Sequence, residues 1–352
     1  MTILDQYTAS GPNLQNTIDL FKGEWSSKFP DRYGIEAGAA PLFEDARIQW
    51  AAEQFGGFEG KTVLELGPLE AGHTYMMEQF GASSITAVEA NSRSFLKCLI
   101  VKEVLDLKRS HFVYSDCIEF LKSSSAQYDI CIASGILYHM VNPAELIARA
   151  SQVSQKLFVW THYYDPAVIT GEPRFAVKFP STEEREYDGF RHTLHRYEYQ
   201  AALGWSGFCG GSAPHSNWMS REDILNCCKH FGFSEIHINF DHQDHPNGPC
   251  FAFVAIKNGG AATDTQEQSA VADRSPETAP MLTSLNVKAA AGEPAPDRLQ
   301  KRITNLQRKN QNLEQALQDA QSRIAAMQTS KFWQLREGWF RIKRSLGLPA
   351  TE

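Results

Sequence analysis

Residues 61–90, KTVLELGPLEAGHTYMMEQFGASSITAVEA, decide how the chain is read. KTVLELG (61–67) is a short apolar run closed by a glycine, which is the pattern of a buried strand. A helical segment starts near His73, and SITAVEA (84–90) then reads as a second strand. Strand, glycine-containing turn, helix and strand in that order make a parallel crossover unit.

The same alternation continues outward. SRSFLKCLIVKEVLDL is amphipathic, HFVYSD (111–116) is strand-like, and a short helix precedes YDICIASG (128–135). A helix from Pro143 and the strand KLFVWTHYY (156–164) follow. REDILNCCKHFGF then leads to SEIHINF (234–240) and CFAFVAI (250–256), joined by the turn-rich DHQDHPNGP. The expected fold is α/β, a doubly wound, mostly parallel sheet of seven strands finished by a hairpin. Residues 1–59 are expected to form an N-terminal helical cap and 60–257 the main domain.

In such sheets ligands sit beyond the carboxyl ends of the strands, at the switch point of strand order. Those ends carry Glu65 and Gly67, then Glu89, Asp116, Ser134 with Gly135, and His162, while Gly72 opens the first helix. Glu89 follows Gly67 by 22 residues, the spacing at which a carboxylate meets ribose hydroxyls. Carboxylates closing the second and third strands suit a nucleoside. Asp116 also fits a helix N-cap before CIEFL, and Glu65 a capped strand end. A phosphate-cradling GxGxxG is absent, which weakens a nicotinamide reading.

VLELGPLEAGHTYMMEQFGASSITAVEANSRSFLKCLIVKE, with SDCIEFL and YDICIASGILYHMVNPAELI after it, resembles the class I S-adenosylmethionine-dependent methyltransferases over about residues 60–257. The family's loop is GxGxG, whereas this one is GPLEAG, without a middle glycine. The resemblance implies S-adenosyl-L-methionine as cofactor. It places Glu65, Gly67 and Gly72 at the methionine end, Glu89 on the ribose, Asp116 and Cys117 at the adenine, and Ser134 and Gly135 under the sulfonium. GILYHM and the run SAPHSNWMSREDILNCCKHFGF are also similar to tRNA wobble-uridine carboxymethyltransferases.

On the acceptor side, Tyr138 and His139 follow the fourth strand and His162 closes the fifth. An imidazole suits removal of a hydroxyl proton near neutral pH, so His139 is the first candidate base, His162 the second. A structural histidine in an apolar run fits His139 equally. The insertion 162–219 is long, aromatic and rich in Arg and His, as substrate lids are. It suits a glycan or another small-molecule acceptor, and also a nucleobase. Asp241, His242, Asp244 and His245 have ligand chemistry but no matching spacing elsewhere, so 241–249 is read as a solvated turn and no metal is expected.

The composition bounds the function. The chain has 352 residues and a formal net charge of -7. From Asp297 onward there are 11 Lys+Arg and 5 Asp+Glu, so 23 and 36 of the 34 and 41 remain before it, a body at -13 and a tail at +6. An acidic body argues against nucleic acid as partner, because phosphate affinity needs clustered cations. No apolar run reaches the ~20 residues that span a bilayer. Seven cysteines without a CxxC pair, and a start without a basic-then-apolar leader, predict a cytoplasmic location.

Residues 258–296 are rich in Ala, Pro, Gly, Ser and Thr and read as a disordered linker. Over 297–328, Ile303, Asn310, Leu317 and Ile324 take heptad position a, and Leu299, Leu306, Leu313, Ala320 and Met327 position d. That pattern predicts a parallel two-stranded coiled coil and hence a homodimer; a single helix docked on the body fits it too. SKFWQLREGWFRIKRSLGL, within 329–352, is a basic amphipathic tail of the kind that lies at a membrane interface or packs on protein. It is similar to tails of bacterial cell-surface glycan-biosynthesis proteins, which implies a peripheral contact at the inner membrane face. The whole reading is an O-directed methyltransferase acting on a glycan or glycan precursor. An RNA or small-metabolite methyltransferase, or a non-catalytic scaffold recruiting partners through the coiled coil, stand as alternatives.

Overall fold

A computed structural model describes residues 7–205 and 207–257. The linker, coiled coil and tail expected over 258–352 lie outside the described residues, and with them the dimer and membrane contacts. Among the described residues no helix is long and apolar enough to cross a membrane.

The strands run β1 Thr62–Leu66, β2 Ser84–Glu89, β3 Ser110–Tyr114, β4 Tyr128–Ser134, β5 Ser154–His162, β6 Ser181–Tyr187, β7 Phe190–Glu198, β8 His215–Trp218, β9 Glu235–His242 and β10 Cys250–Ile256. The helices are α1 Leu14–Ile18, α2 Ala46–Phe55, α3 Gly72–Gln79, α4 Ser92–Val104, α5 Cys117–Ser123, α6 Pro143–Val153, α7 Pro166–Gly171, α8 Pro173–Ala176 and α9 Arg221–His230. Seven strands form one sheet in the order β3-β2-β1-β4-β5-β10-β9. The first five are parallel and the last two antiparallel. The strand order reverses between β1 and β4, which is the switch point.

The central strands are buried on both faces, as parallel strands must be. On one face Ile48, Ala51 and Phe55 of α2 join Tyr75, Met76 and Met77 of α3 and Val101 of α4 over Val63, Ile130 and Phe158. On the other, Leu146, Ile147 and Ala150 of α6 and Ile224 and Cys228 of α9 cover Leu64, Cys131 and Leu157. Asn13, Asp45, Asn91, Asp116, Asn142, Asp165 and Ser220 each cap a helix by accepting from its first backbone amides.

The insertion after β5 holds more order than its composition announced. β6, β7 and β8 form a separate antiparallel sheet. Asp188 and Gly189, both at positive φ (47° and 80°), make the two-residue turn between β6 and β7. Asp-Gly between two alternating runs is a hairpin signal, and here it closes the β6–β7 pair.

One buried ion pair ties this architecture together. Glu70, in the turn after β1, is 1% exposed and pairs with Lys97 of α4 at 2.8 Å. Its oxygens also accept from the backbone amides of Ser26 (3.0 and 3.1 Å) and Ser27 (2.8 Å). Removing one partner of a buried pair strands the other charge, at a cost of about 3–5 kcal/mol. Glu70→Ala is expected to lose roughly that much in urea unfolding, and Glu70→Leu with Lys97→Met to recover most of it. A loss under about 1 kcal/mol for the single variant would show the pair is not a structural pin.

Candidate functional site

A cavity of about 750 Å³ opens beyond the carboxyl ends of β1, β2, β4 and β5. That size lies within the range of small-molecule sites. Of the residues singled out from sequence, Gly67, Gly72, Glu89, Asp116, Cys117, Ser134, Gly135, Tyr138 and His139 line it. Glu65 and His162 do not.

Glu65 lies under the turn, 2% exposed, with Thr74 Oγ1 donating to it. Burial pushes its carboxyl up to about 7, against the pull of the Thr74 bond. His162 is 4% exposed and stacks on Trp218, the rings 5.3 Å apart and 12° from parallel.

The turn after β1 solves its missing glycine by strain. Leu69 and Ala71 both adopt positive φ (54° and 59°), a conformation that costs a side-chain-bearing residue roughly 1–2 kcal/mol. Two anchors hold it: Glu70 in its buried pair, and the Leu69 amide, which donates to Glu89 Oε2 at 3.1 Å. Gly72 is needed for a packing reason, since a Cβ there would lie 2.7 Å from the Leu42 carbonyl.

Glu89 closes β2 at the cavity wall, 8% exposed. Its oxygens take backbone bonds from Leu69, from Asn91 (2.8 Å) and from Ala90. Burial raises its pKa and those amides oppose the rise. Among the described residues no salt bridge reaches it, and it lines the cavity. Asp116 caps α5 through Oδ1, with Ile118 and Glu119 amides at 2.8 and 3.1 Å, while lining the same cavity. The capping and ligand readings of this residue are compatible, because one carboxylate has two oxygens.

The opposite wall is aromatic. Gly135 sits at φ 81° with its Cα face against Trp160, whose Cζ3 a Cβ would approach to 3.3 Å. Tyr138 packs edge-on to Trp160 at 5.9 Å and beside His139 at 4.1 Å. Burial raises the Tyr138 pKa and keeps the phenol protonated.

His139 has a fixed tautomer. The Tyr199 hydroxyl donates its one proton to the Gly210 carbonyl at 2.8 Å. It must therefore accept at its other contact, His139 Nδ1, also 2.8 Å away. Nδ1 carries the proton and Nε2 keeps the lone pair. Burial lowers the imidazole pKa to about 3, with a smaller contribution from His162. The ring is thus a neutral acceptor throughout the physiological range.

Several site residues carried no sequence signal. Asp45, Arg47 and His73 form a cluster reaching in from the cap: His73 Nε2 lies 2.9 Å from Asp45 Oδ2, and Arg47 Nε lies 2.9 and 3.0 Å from the two Asp45 oxygens. His73 and Arg47 hold the Asp45 carboxyl well below its ordinary range despite burial. The Arg47 guanidinium lies 4.6 Å over the Trp160 ring, and Arg47 and His73 line the cavity. Phe208, Cys209, Gly211 and Ser212 close it from the insertion, held by Asn91 Nδ2 to the Phe208 carbonyl at 3.3 Å. Only an Asp-to-Arg step in FEDAR marks the first cluster in sequence, and such steps are common.

The sheet order and the cavity at its switch point allow comparison with solved structures. The N-terminal domain of EvdMO1, crystallised in the presence of S-adenosylhomocysteine (SAH) and D-fucose, superposes with a TM-score of 0.52 at 18% identity, covering 70% of this chain and 96% of that one. The fold is the Rossmann-like methyltransferase fold. The same domain with SAH bound gives a TM-score of 0.52 at 19% identity, with the same coverages. No protein-family model matches the sequence, and no curated protein matches it.

The His139 assignment has a measurable consequence. Its folded pKa lies below the 6.5 of a free imidazole, so the unfolded chain takes up the proton first as pH falls. Stability contributed by the neutral ring is complete above 6.5 and is lost as pH drops from there toward about 3. Nitrogen-15 spectra of the histidines are expected to show His139 neutral and Nδ1-protonated at pH 7 and unchanged at pH 5. A charged ring at pH 5, or an Nε2-protonated one at pH 7, would contradict the assignment, while Tyr199→Phe should release the tautomer.

Proposed function

We propose that the protein is an S-adenosylmethionine-dependent methyltransferase that methylates a hydroxyl of a glycan or glycan precursor. The observation that carries the reading is Glu89: a buried carboxylate with no salt-bridge partner among the described residues, at the end of β2, on the wall of a cavity at the switch point of a methyltransferase fold. The donor set suits the cofactor. Glu89 would accept from the ribose hydroxyls, Asp116 and Cys117 would border the adenine, and Gly67, Gly72 and Gly135 let backbone approach closely at the methionine end.

Bound S-adenosylmethionine supplies an activated methyl on its sulfonium, so the chain's own task is positioning and proton removal. Trp160, Tyr138 and Phe208 offer ring faces to the apolar side of a sugar, and Arg47, His73 and His139 offer hydrogen bonds to its hydroxyls. His139 Nε2 accepts the acceptor's proton as the oxygen takes the methyl. Burial keeps His139 deprotonated at neutral pH and also makes it a weak base. Its Nε2 would therefore act chiefly by orienting the acceptor hydroxyl, with proton removal completed as the oxygen takes the methyl and its proton becomes acidic. The similar EvdMO1 domain, crystallised with SAH and a hexose present, supports a sugar acceptor. The acidic body, 23 Lys+Arg against 36 Asp+Glu over residues 1–296, speaks against tRNA.

A radiolabelled methyl-transfer screen over pyranosides, glycan precursors, tRNA and small metabolites is expected to label a sugar hydroxyl. Glu89→Ala should weaken SAH at least tenfold in calorimetry. His139→Ala should lower kcat by about 10²–10⁴, the usual range for a general base, with SAH affinity within threefold. Label in tRNA alone would move the acceptor class, and no SAH binding by the intact chain would remove the enzyme reading altogether.

A further inference from the structure

A second cluster lies on the same sheet edge and methyl transfer leaves it without a task. His162 and Cys250 are register partners across the antiparallel β5–β10 pair. Directly opposite residues share one face of the sheet, with Cβ atoms ~5 Å apart. The β9–β10 turn adds His245, whose ring centroid is 5.1 Å from that of His162. One ligand atom from each of the three lies within 4.8 Å of the other two. His162 and Cys250 are buried, and His245 is half-buried in an otherwise exposed stretch, 241–247. None of them lines the cofactor cavity.

Among the described residues His162 keeps a ring lone pair free of hydrogen bonds, whereas the His245 lone pair is held only by a long one. His162 Nδ1 faces two backbone carbonyls, Gly248 at 2.9 Å and Pro249 at 3.1 Å. Carbonyls only accept, so Nδ1 carries the proton and Nε2 holds a lone pair. Metal-binding histidines are fixed in this way by an outer carbonyl on the other nitrogen. The Trp160 side chain hydrogen-bonds the Cys250 sulfur, and because an indole N–H only donates, the sulfur accepts there. His245 Nδ1 takes the Asn247 amide at 3.2 Å, a long bond that a metal–nitrogen bond more than replaces.

We infer that His162, His245 and Cys250 form a metal site that takes a divalent zinc-class ion and staples the β9–β10 turn onto β5. Two imidazoles and a thiolate suit Zn²⁺ over the hard, oxygen-seeking cations. Bonds of about 2.0–2.3 Å in a tetrahedron put ligand atoms about 3.5 Å apart, so the present spread closes by about 1 Å, which the exposed turn carrying His245 can supply. Solvent takes the fourth position. The His162 ring contacts Tyr138 at 4.7 Å and Trp160 at 5.5 Å, so a staple here also braces the aromatic wall of the cavity from behind. The inference does not rest on the methyl-transfer reading.

The test uses the full chain, stripped with chelator under reducing conditions and titrated with Co²⁺. Saturation at one equivalent, with a thiolate-to-cobalt charge-transfer band that Zn²⁺ abolishes, is the expected result. Cys250→Ser should lose the band, His245→Ala should weaken Co²⁺ at least tenfold, and Cys209→Ser should leave both unchanged. Far-ultraviolet circular dichroism and a thermal melt on each variant report whether it folds. Wild-type protein without a thiolate band, or a band that survives Cys250→Ser in folded protein, would overturn the site.

Discussion

The Glu70–Lys97 pair is the constraint from which the site follows. The GPLEAG turn places two non-glycine residues in left-handed backbone, with one local bond, the Ala71 amide to the Pro68 carbonyl at 2.9 Å, to hold it. The compensation comes from the buried carboxylate between them, which binds a lysine of α4 and two amides of the N-terminal segment. The strained turn in turn presents the Leu69 amide to Glu89, and so orients the carboxylate proposed to hold the cofactor. The N-terminal segment therefore helps shape the cavity, since Leu42 packs on Gly72 and Arg47 lies over Trp160.

Much of the fold was legible because the relevant signals are periodic. The seven strands, their alternation with helices and the terminal hairpin follow from short apolar runs between helical stretches, and the sheet order agrees. The residues at strand ends were legible for the same reason: Gly67, Glu89, Asp116, Ser134 and Gly135 are fixed by where a strand stops. Glu65 and His162 show the limit of that logic. Alternation along a strand decides which face a side chain takes, and at the last residues either face opens on the cavity or on the core. Glu65 turned inward to Thr74, His162 toward Trp218 and the β9–β10 turn.

Contacts between distant segments were not legible. Asp45, Arg47 and His73 come from two segments without a shared motif, and Tyr199 meets His139 across 60 residues. The small sheet within the insertion was not legible from composition, because β6 is exposed and charged while β7 and β8 bury Phe190, Leu194 and Trp218 through contacts with distant segments. The one local clue, Asp188-Gly189, defines a turn, and the two strands beside it follow. Polar residues placed by tertiary contact carry the specificity here, while periodic apolar residues carry the architecture.

The account stands on Glu89 holding the cofactor's ribose at the switch point. A crystal structure with SAH is its most direct test. The predicted result is the ribose hydroxyls within hydrogen-bond distance of Glu89, adenine beside Asp116 and Cys117, and the sulfur over Gly135 facing His139 and Trp160. An adenosine moiety seated elsewhere, or crystals that take up none at millimolar SAH, would contradict it.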